Sequence, residues 1–506
     1  MPTPLVDLLR RHAAETPEAP CLAQGDVLLT FAELDACSDR LAHSLQAAGV
    51  GRGDRVAVLD RTGIATFELF FACAKLTAIL MPINWRLAAG EVAEILADGG
   101  PKLVFVAPEL MGLLEQAGDI PALLLEDGSA PGARGADAAP LPPCHAPADP
   151  VLLLYTSGTT GKPKGVIITH GSHAWNGRIA SEVWGFTTQS VNLVASPLFH
   201  IGGMGYGMMA MAQGGLTVLM QPSEPGAVLA TMARHGVTHA FFVPTVIQRL
   251  VEHVEQTGLA PSRLQLMVYG AAPIAEDLLR RALATFGCGF SHAYGMTETS
   301  GTVVSLAPEY HDPDWPNPAR LRSCGRPFPW VELALFDPAS GARIAPGEVG
   351  EVRIRSAMNM QGYWNKPTET AAAVTADGWL CTGDAAIADE EGFLTIHDRY
   401  KDMIVSGGEN IYPAELENVL AAHPAVAEVA VIGTAHPQWG ETPRAYVVPR
   451  GVAPCEVDLI DYTRTRLARY KCPTSIVFVT ALPRNATGKL NKGELRRIDR
   501  VRPGQE

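Results

Sequence analysis

Residues 155–165 read YTSGTTGKPKG, three glycines and four serine or threonine residues crowded with two lysines that flank a proline. Apolar runs on either side, VLLLYT and GVIITH, read as strands. Between them, glycines let bare backbone approach an oxyanion, and consecutive N–H groups form a nest. The hydroxyls of Thr156, Ser157, Thr159 and Thr160 add donors, and Lys162 and Lys164 add positive charge. That chemistry is an anion cradle suited to a polyphosphate. The Walker pattern needs four residues between its glycines, whereas Gly158 and Gly161 have two between them. Pro163 biases Lys162 toward extended backbone, so the loop is not expected to run into a helix N-terminus. A polar hairpin without ligand is the bland alternative.

Further segments rich in reactive side chains follow in order: SPLFH (196–200), YGAAP (269–273), YGMTE (294–298), TGD (382–384), DRYKDMIVSGGENIYPAE (398–415) and PRNATGK (483–489). Singly, each has an ordinary structural reading: GAAP as a strand end before a helix, Tyr294 as a core aromatic, Asp384 as a turn residue, Lys489 as a surface lysine. Together with the first loop, in this order, they resemble the AMP-forming adenylating superfamily of acyl-CoA synthetases, adenylation domains and firefly-type luciferases. The resemblance implies a ligase that joins a carboxylate to ATP as an acyl-adenylate, releases pyrophosphate, and passes the acyl group to a thiol. A carboxylate attacking a phosphate meets like charge, so such a site must supply cations and donors.

By the same resemblance, Thr156, Ser157, Gly158, Thr159, Thr160, Gly161, Lys162 and Lys164 would wrap the β- and γ-phosphates. Thr297 would touch the α-phosphate, and Glu298 would hold Mg²⁺, a hard cation suited to a carboxylate. Tyr294 would stack on adenine beside Gly295 and Met296, with Gly270, Ala271 and Ala272 leaving flat room for the base. Asp384 and Arg399 would reach the ribose. Lys489 would sit between attacking carboxylate and α-phosphate, so Lys489, Thr297, Glu298 and His200 make up the expected catalytic set. Lys401 and Asp402 fall where the family places a hinge between its large and small domains, one orientation serving adenylation and the other thioester formation. In the second orientation Gly408 would line a pantetheine tunnel. Arg86, Trp439, Tyr470 and Lys471 match positions used for the nucleotide end of coenzyme A, and domain-interface packing is an equal reading of that set.

His200 bears on substrate class. Amino-acid-activating relatives commonly place an aspartate there to pair the substrate's ammonium, and an uncompensated ammonium is costly to bury. The histidine therefore argues for an acid with an uncharged α-carbon. Behind it, IGGMGYGMMAMAQGG supplies glycine space and adaptable methionines, making Gly202, Gly203, Met204 and Tyr206 with His200 the expected acyl pocket, although helix packing would give the same pattern. A medium- or long-chain fatty acid is the first expectation, an aryl or hydroxycinnamic acid the second, and a sterol-derived acid remains open. So does a carrier-protein thiol in place of coenzyme A. His235 and His239 in HGVTH have metal-binding spacing but no intervening glutamate, and a metal is not expected there.

These residues need an ordinary globular scaffold. The 506 residues carry 40 Lys and Arg against 53 Asp and Glu, a net charge of −13 that argues against nucleic-acid partners. Nine cysteines with no C-x-x-C pair suggest free thiols in a cytoplasmic location. FELFFACAKLTAILMPI and GGMGYGMMAMAQGGLTVLM are interrupted by charge or glycine and read as buried helices rather than membrane spans. A homodimer stays open as an assembly state.

The expected class is α/β. A first unit of strands such as RVAVLD and KLVFVA ends near residue 120, and a Pro-, Gly- and Ala-rich surface connection covers 127–150. A second sheet would begin at Val151 and run to about Gly289, followed by a small β-rich unit and a hinged C-terminal α+β domain. The expected boundaries are 1–398 for the large domain, 399–402 for the hinge and 403–506 for the small domain.

Overall fold

Runs of apolar residues too short for helices become the centres of two parallel sheets. Strands Ile79–Pro82 and Leu103–Val106 are buried at every position, as covering both faces with helices demands. The structure, a computed structural model, describes residues 1–126, 128–135, 138–157, 163–221, 223–272, 274–312, 318–407, 409–484 and 490–501; at 157, 318, 319, 401 and 410 the backbone alone is described.

The first sheet has seven strands among the described residues, in the order Gly362–Tyr363, Pro163–Thr169, Pro150–Ser157, Ile79–Pro82, Arg55–Leu59, Leu103–Val106 and Ala122–Leu124. The second has nine: Arg326–Pro327, Gly301–Leu306, Gly289–Met296, Leu266–Gly270, His239–Phe242, Val191–Val194, Leu216–Leu219, Pro20–Gln24 and Val27–Thr30. The partition expected from sequence is therefore corrected. The strands on either side of the 158–162 loop close the first sheet, pairing antiparallel from Pro150↔Thr169 to Ser157↔Pro163, and the N-terminal hairpin crosses over to extend the second. The chain threads between the sheets instead of finishing one before starting the next.

The 127–150 segment is not merely a surface connection. Among its described residues, Ser129, Ala130 and Ala133 are buried. Helix Ile64–Leu76 explains why, because all thirteen of its residues are buried, two of them charged. Glu68 accepts from Ser129 Oγ at 2.8 Å and Ala130 N at 3.0 Å, tying the segment down. Lys75, with a fully buried side chain, pairs with Asp39 at 3.0 Å and Asp35 at 2.7 Å on the neighbouring helix Phe31–Ala47. Buried charges persist only with such partners.

A four-stranded antiparallel sheet follows: Glu332–Phe336, Val349–Arg355, Leu380–Ala388 and Leu394–Arg399. Beyond the 3₁₀ turn Tyr400–Asp402, strands Ile404–Ser406, Glu409–Ile411, Val426–His436, Gly440–Pro449 and Ser475–Phe478 form a separate sheet. Helices Pro413–Ala421 and Glu456–Arg464 pack in one of its cores through Leu416, Leu420 and Leu459, and Leu495 of helix Lys492–Arg500 packs in the other with Tyr446 and Leu482. Among the described residues no helix is long and apolar enough to cross a membrane.

Candidate active site

Three strands from two sheets deliver Tyr294, Asp384 and Arg399 to one place. Asp384 and Arg399 are cross-strand partners in the four-stranded sheet, and Tyr294 reaches them from the end of Gly289–Met296 in the second parallel sheet. Tyr294 Oη donates to Asp384 Oδ2 at 2.8 Å, and Arg399 Nε lies 3.3 Å from Oδ1. Burial, reinforced by the Asp384 charge, pushes the Tyr294 phenol well above its ordinary range, so it stays a neutral donor.

Beside this cluster the backbone is kept bare at the carboxyl ends of parallel strands, where open α/β sheets bind ligands. A Cβ at Gly270 would lie 2.2 Å from the Ala293 carbonyl oxygen, and one at Gly295 would lie 2.0 Å from that of Gly301. Ala271 adopts φ 64°, a left-handed conformation that costs a non-glycine residue about 1–2 kcal/mol. Ala271 and Ala272 are exposed, so this strained segment forms an open floor.

Strand Gly289–Met296 then turns sharply through the 3₁₀ turn Thr297–Thr299, pinned where Thr299 Oγ1 accepts from Met296 N at 3.0 Å. Thr297 is half-buried at the start of that turn and Glu298 is buried within it. Tyr363 Oη donates to Glu298 Oε1 at 2.9 Å, and Lys164 Nζ stands 5.0 Å from the centre of the Tyr363 ring. Thr156 is the cross-strand partner of Lys164. Strand Pro163–Thr169 and the acidic turn thus meet through one tyrosine. Sequence reasoning missed Tyr363, whose signal was the aromatic pair after Gly362 in QGYWN. Among the described residues no cluster of three or more His, Cys, Asp or Glu could hold a metal. A single carboxylate such as Glu298 still fits Mg²⁺, which commonly takes one or two protein carboxylates and completes its shell with phosphate and water. Gly158, Thr159, Thr160, Gly161, Lys162, Gly408 and Lys489 lie outside the described residues, as does the side chain of Ser157.

His200 caps helix Ile201–Gly207, its carbonyl accepting from Met204 N at 2.8 Å while its ring centre lies 4.5 Å from that of Phe199. The other pocket candidates divide between two faces. Gly202 faces Phe241, whose Cε1 would be 3.4 Å from an added Cβ, and Tyr206 packs on the same ring at 5.6 Å between centroids. Met204 is fully buried in the core that includes the first sheet, and the Cβ position of Gly203 is filled by the Pro197 carbonyl. His239 is buried and hydrogen-bonded to Thr238 and the Trp184 carbonyl, an ordinary core histidine.

Of the residues assigned to coenzyme A, Arg86 belongs to the large domain, its guanidinium over Trp85 at 4.9 Å and its pKa lowered by burial. The other three are in the C-terminal domain. Trp439 is half exposed, accepts from Gly407 N through its carbonyl at 2.8 Å, and lies so close that a Cβ on Gly407 would meet its ring at 2.8 Å. Lys471 pairs with Glu415 at 2.8 Å beside exposed Tyr470. At the expected hinge, Asp402 is bound by Arg496 at 2.8 Å, and Asp398 by Lys492 at 3.4 Å. The side chain of Lys401 lies outside the described residues.

Residues 9–364 match the model of the AMP-binding enzyme family and residues 415–489 that of the AMP-binding enzyme C-terminal domain. A fatty acid–[acyl-carrier-protein] ligase of Streptomyces coeruleorubidus is 38% identical, over 97% of this chain and 96% of its own. A feruloyl-CoA synthase of an Amycolatopsis species is 39% identical, over 96% and 97% respectively. Among solved structures, o-succinylbenzoate coenzyme A synthetase from Bacillus subtilis in complex with ATP and magnesium superimposes with a TM-score of 0.86 at 33% identity, covering 98% of this chain and 100% of that one. With both family models matched in order along the chain and relatives aligned end to end, the chain belongs to the AMP-binding enzyme family and is an AMP-forming acid–thiol ligase.

Proposed function

We propose that this enzyme activates a carboxylic acid of apolar body with ATP, forming an acyl-adenylate and pyrophosphate, and then transfers the acyl group to coenzyme A, releasing AMP. The observation that carries the nucleotide half is the convergence of Tyr294, Asp384 and Arg399 beside the Thr297–Thr299 turn. Asp384 is an acceptor held by a phenol and a guanidinium, and a ribose hydroxyl is the kind of donor it would take next. Tyr294 offers its ring face to adenine, with Gly295 and the Gly270–Ala272 floor making room. Lys164 and the loop 158–162 stabilise the leaving pyrophosphate, Thr297 donates to the α-phosphate, and Lys489 offsets charge as the carboxylate attacks. A magnesium ion held by Glu298 would supply further positive charge to the polyphosphate.

The second half-reaction falls to the small domain, rotating about 399–402 so that Gly408 and its neighbours replace Lys489 at the site. Trp439 against Gly407, with Tyr470, Lys471 and Arg86, would bind the nucleotide end of coenzyme A. Nine unpaired cysteines suit a reducing, cytoplasmic setting. The test uses ATP, Mg²⁺ and a panel of acids with and without coenzyme A, following pyrophosphate, AMP and thioester. Thioester that requires coenzyme A supports the reading, whereas pyrophosphate release without coenzyme A-dependent thioester assigns a carrier-protein acceptor. Lys489→Ala is expected to lose most acyl-adenylate formation yet still make thioester from supplied acyl-adenylate; equal loss of both steps contradicts the divided roles.

A further inference from the structure

Asp98 stands where a carboxylate is unfavourable, in the last turn of helix Ala89–Gly99 beside carbonyl groups whose dipoles oppose negative charge. Those carbonyls have their own cation, because Arg55 donates to Gly99 O at 2.8 Å and to Gly100 O at 2.6 Å. Asp98 instead spends its two oxygens on distant segments. Tyr155 Oη donates to Oδ2 at 2.7 Å, and Lys366 Nζ donates to Oδ1 at 2.8 Å. These partners lie 57 and 268 residues further along the chain. All three side chains are half-buried, so solvent and salt screen the contacts less than they would a surface pair.

The two arms grip either side of one bare residue. Tyr155 is the cross-strand partner of Gly165, and a Cβ on Gly165 would lie 3.0 Å from the Tyr155 ring and 3.3 Å from Trp364 Cβ. Trp364 N donates to the Gly165 carbonyl at 2.7 Å, and Lys366 N closes the turn by donating to the Tyr363 carbonyl at 3.2 Å. Within that turn Asn365 adopts φ 51°, a left-handed conformation that asparagine accepts more readily than most residues but that its surroundings must hold. Lys366 therefore anchors the far end of a tight turn that begins at Tyr363. Tyr363 in turn holds Glu298 at 2.9 Å, with Lys164 Nζ 5.0 Å from its ring centre. Contacts run unbroken from Asp98 to the acidic turn.

We infer that Asp98 is a positioning residue for the polyphosphate of ATP: through Lys366 and Tyr155 it fixes Tyr363, and so sets Glu298 and Lys164 against one another. This rests on the roles proposed above for Glu298 and Lys164. The test is calorimetric titration of the full-length enzyme with ATP in the presence of Mg²⁺, and separately with AMP, which has no polyphosphate. Wild type is compared with Asp98→Ala, Lys366→Met, Tyr363→Phe and the Asp98→Ala/Tyr363→Phe double variant, each checked by thermal unfolding. Asp98→Ala and Lys366→Met are expected to weaken ATP binding about tenfold while AMP binding stays within about twofold of wild type. In the Tyr363→Phe background, Asp98→Ala should cost little more. Lys366→Met removes only one arm, so it carries the comparison if Asp98→Ala does not fold. Equal weakening of ATP and AMP, unchanged ATP binding, or a full additional loss in the double variant overturns the inference and leaves the nucleotide site standing. Wild-type enzyme that binds neither nucleotide overturns both.

Discussion

Asp384 is the residue on which three parts of the chain converge, and its chemistry sets the first expectation. Hydrogen bonds to a charged group contribute about 1.5–3 kcal/mol, so Asp384→Ala should weaken ATP use by about 10- to 150-fold in kcat/KM, measured by ATP–pyrophosphate exchange. An Asp384→Ala enzyme with unchanged ATP dependence would remove it from the nucleotide site. Tyr363 gives a subtler case, because its hydroxyl holds Glu298 at 2.9 Å without itself being charged: burial, with the Glu298 carboxylate beside it, pushes its pKa well up. Tyr363→Phe should therefore raise the Mg²⁺ concentration for half-maximal activity several-fold with little change in the KM for acid, whereas equal effects on both would point to general loosening of the site.

At the scale of elements, the bare turns are more sensitive than the strands they join. Gly295→Ala would press a methyl 2.0 Å from the Gly301 carbonyl and should abolish adenylation even if the protein stays soluble. Gly112→Ala, at an exposed position where the atom nearest an added Cβ is a Glu115 carboxylate oxygen at 3.8 Å, should leave activity near wild type, and a comparable loss in both would contradict the steric account. Most strands were legible in sequence because short β-branched runs such as RVAVLD leave little alternative, and the site motifs were legible because their order along the chain is so specific. Sheet membership was not. Parallel pairing is decided by crossovers between distant segments, so the strands flanking the 158–162 loop joined the first sheet although the sequence looked like a fresh start after residue 150. Glu68 and Lys75 read only as interruptions of an apolar stretch, because Ser129 and Asp39, their partners, are remote in sequence. Tyr363 likewise resembles any core aromatic until folding sets it against Glu298.

Over the whole molecule, buried histidines link stability to acidity. Burial lowers His170 to about 3 and His173, His292 and His311 to about 4, from an ordinary value of 6.5. As pH falls below 6.5 the unfolded chain takes up protons that the folded one refuses until near pH 4, so stability is full above that window and declines through it. Urea midpoints should fall steadily from about pH 6.5 toward pH 4, and less steeply in His173→Phe, which removes one of the four groups; a flat profile would contradict their neutral burial. The central claim concerns how the two domains share one reaction, in which the acid's carboxylate attacks the α-phosphate of ATP. An acid labelled with ¹⁸O in both carboxylate oxygens tests this most directly, with the products of a complete turnover analysed by mass spectrometry. Attack at the α-phosphate predicts one ¹⁸O in each AMP and none in pyrophosphate. Unlabelled AMP, or label in pyrophosphate or inorganic phosphate, would contradict it.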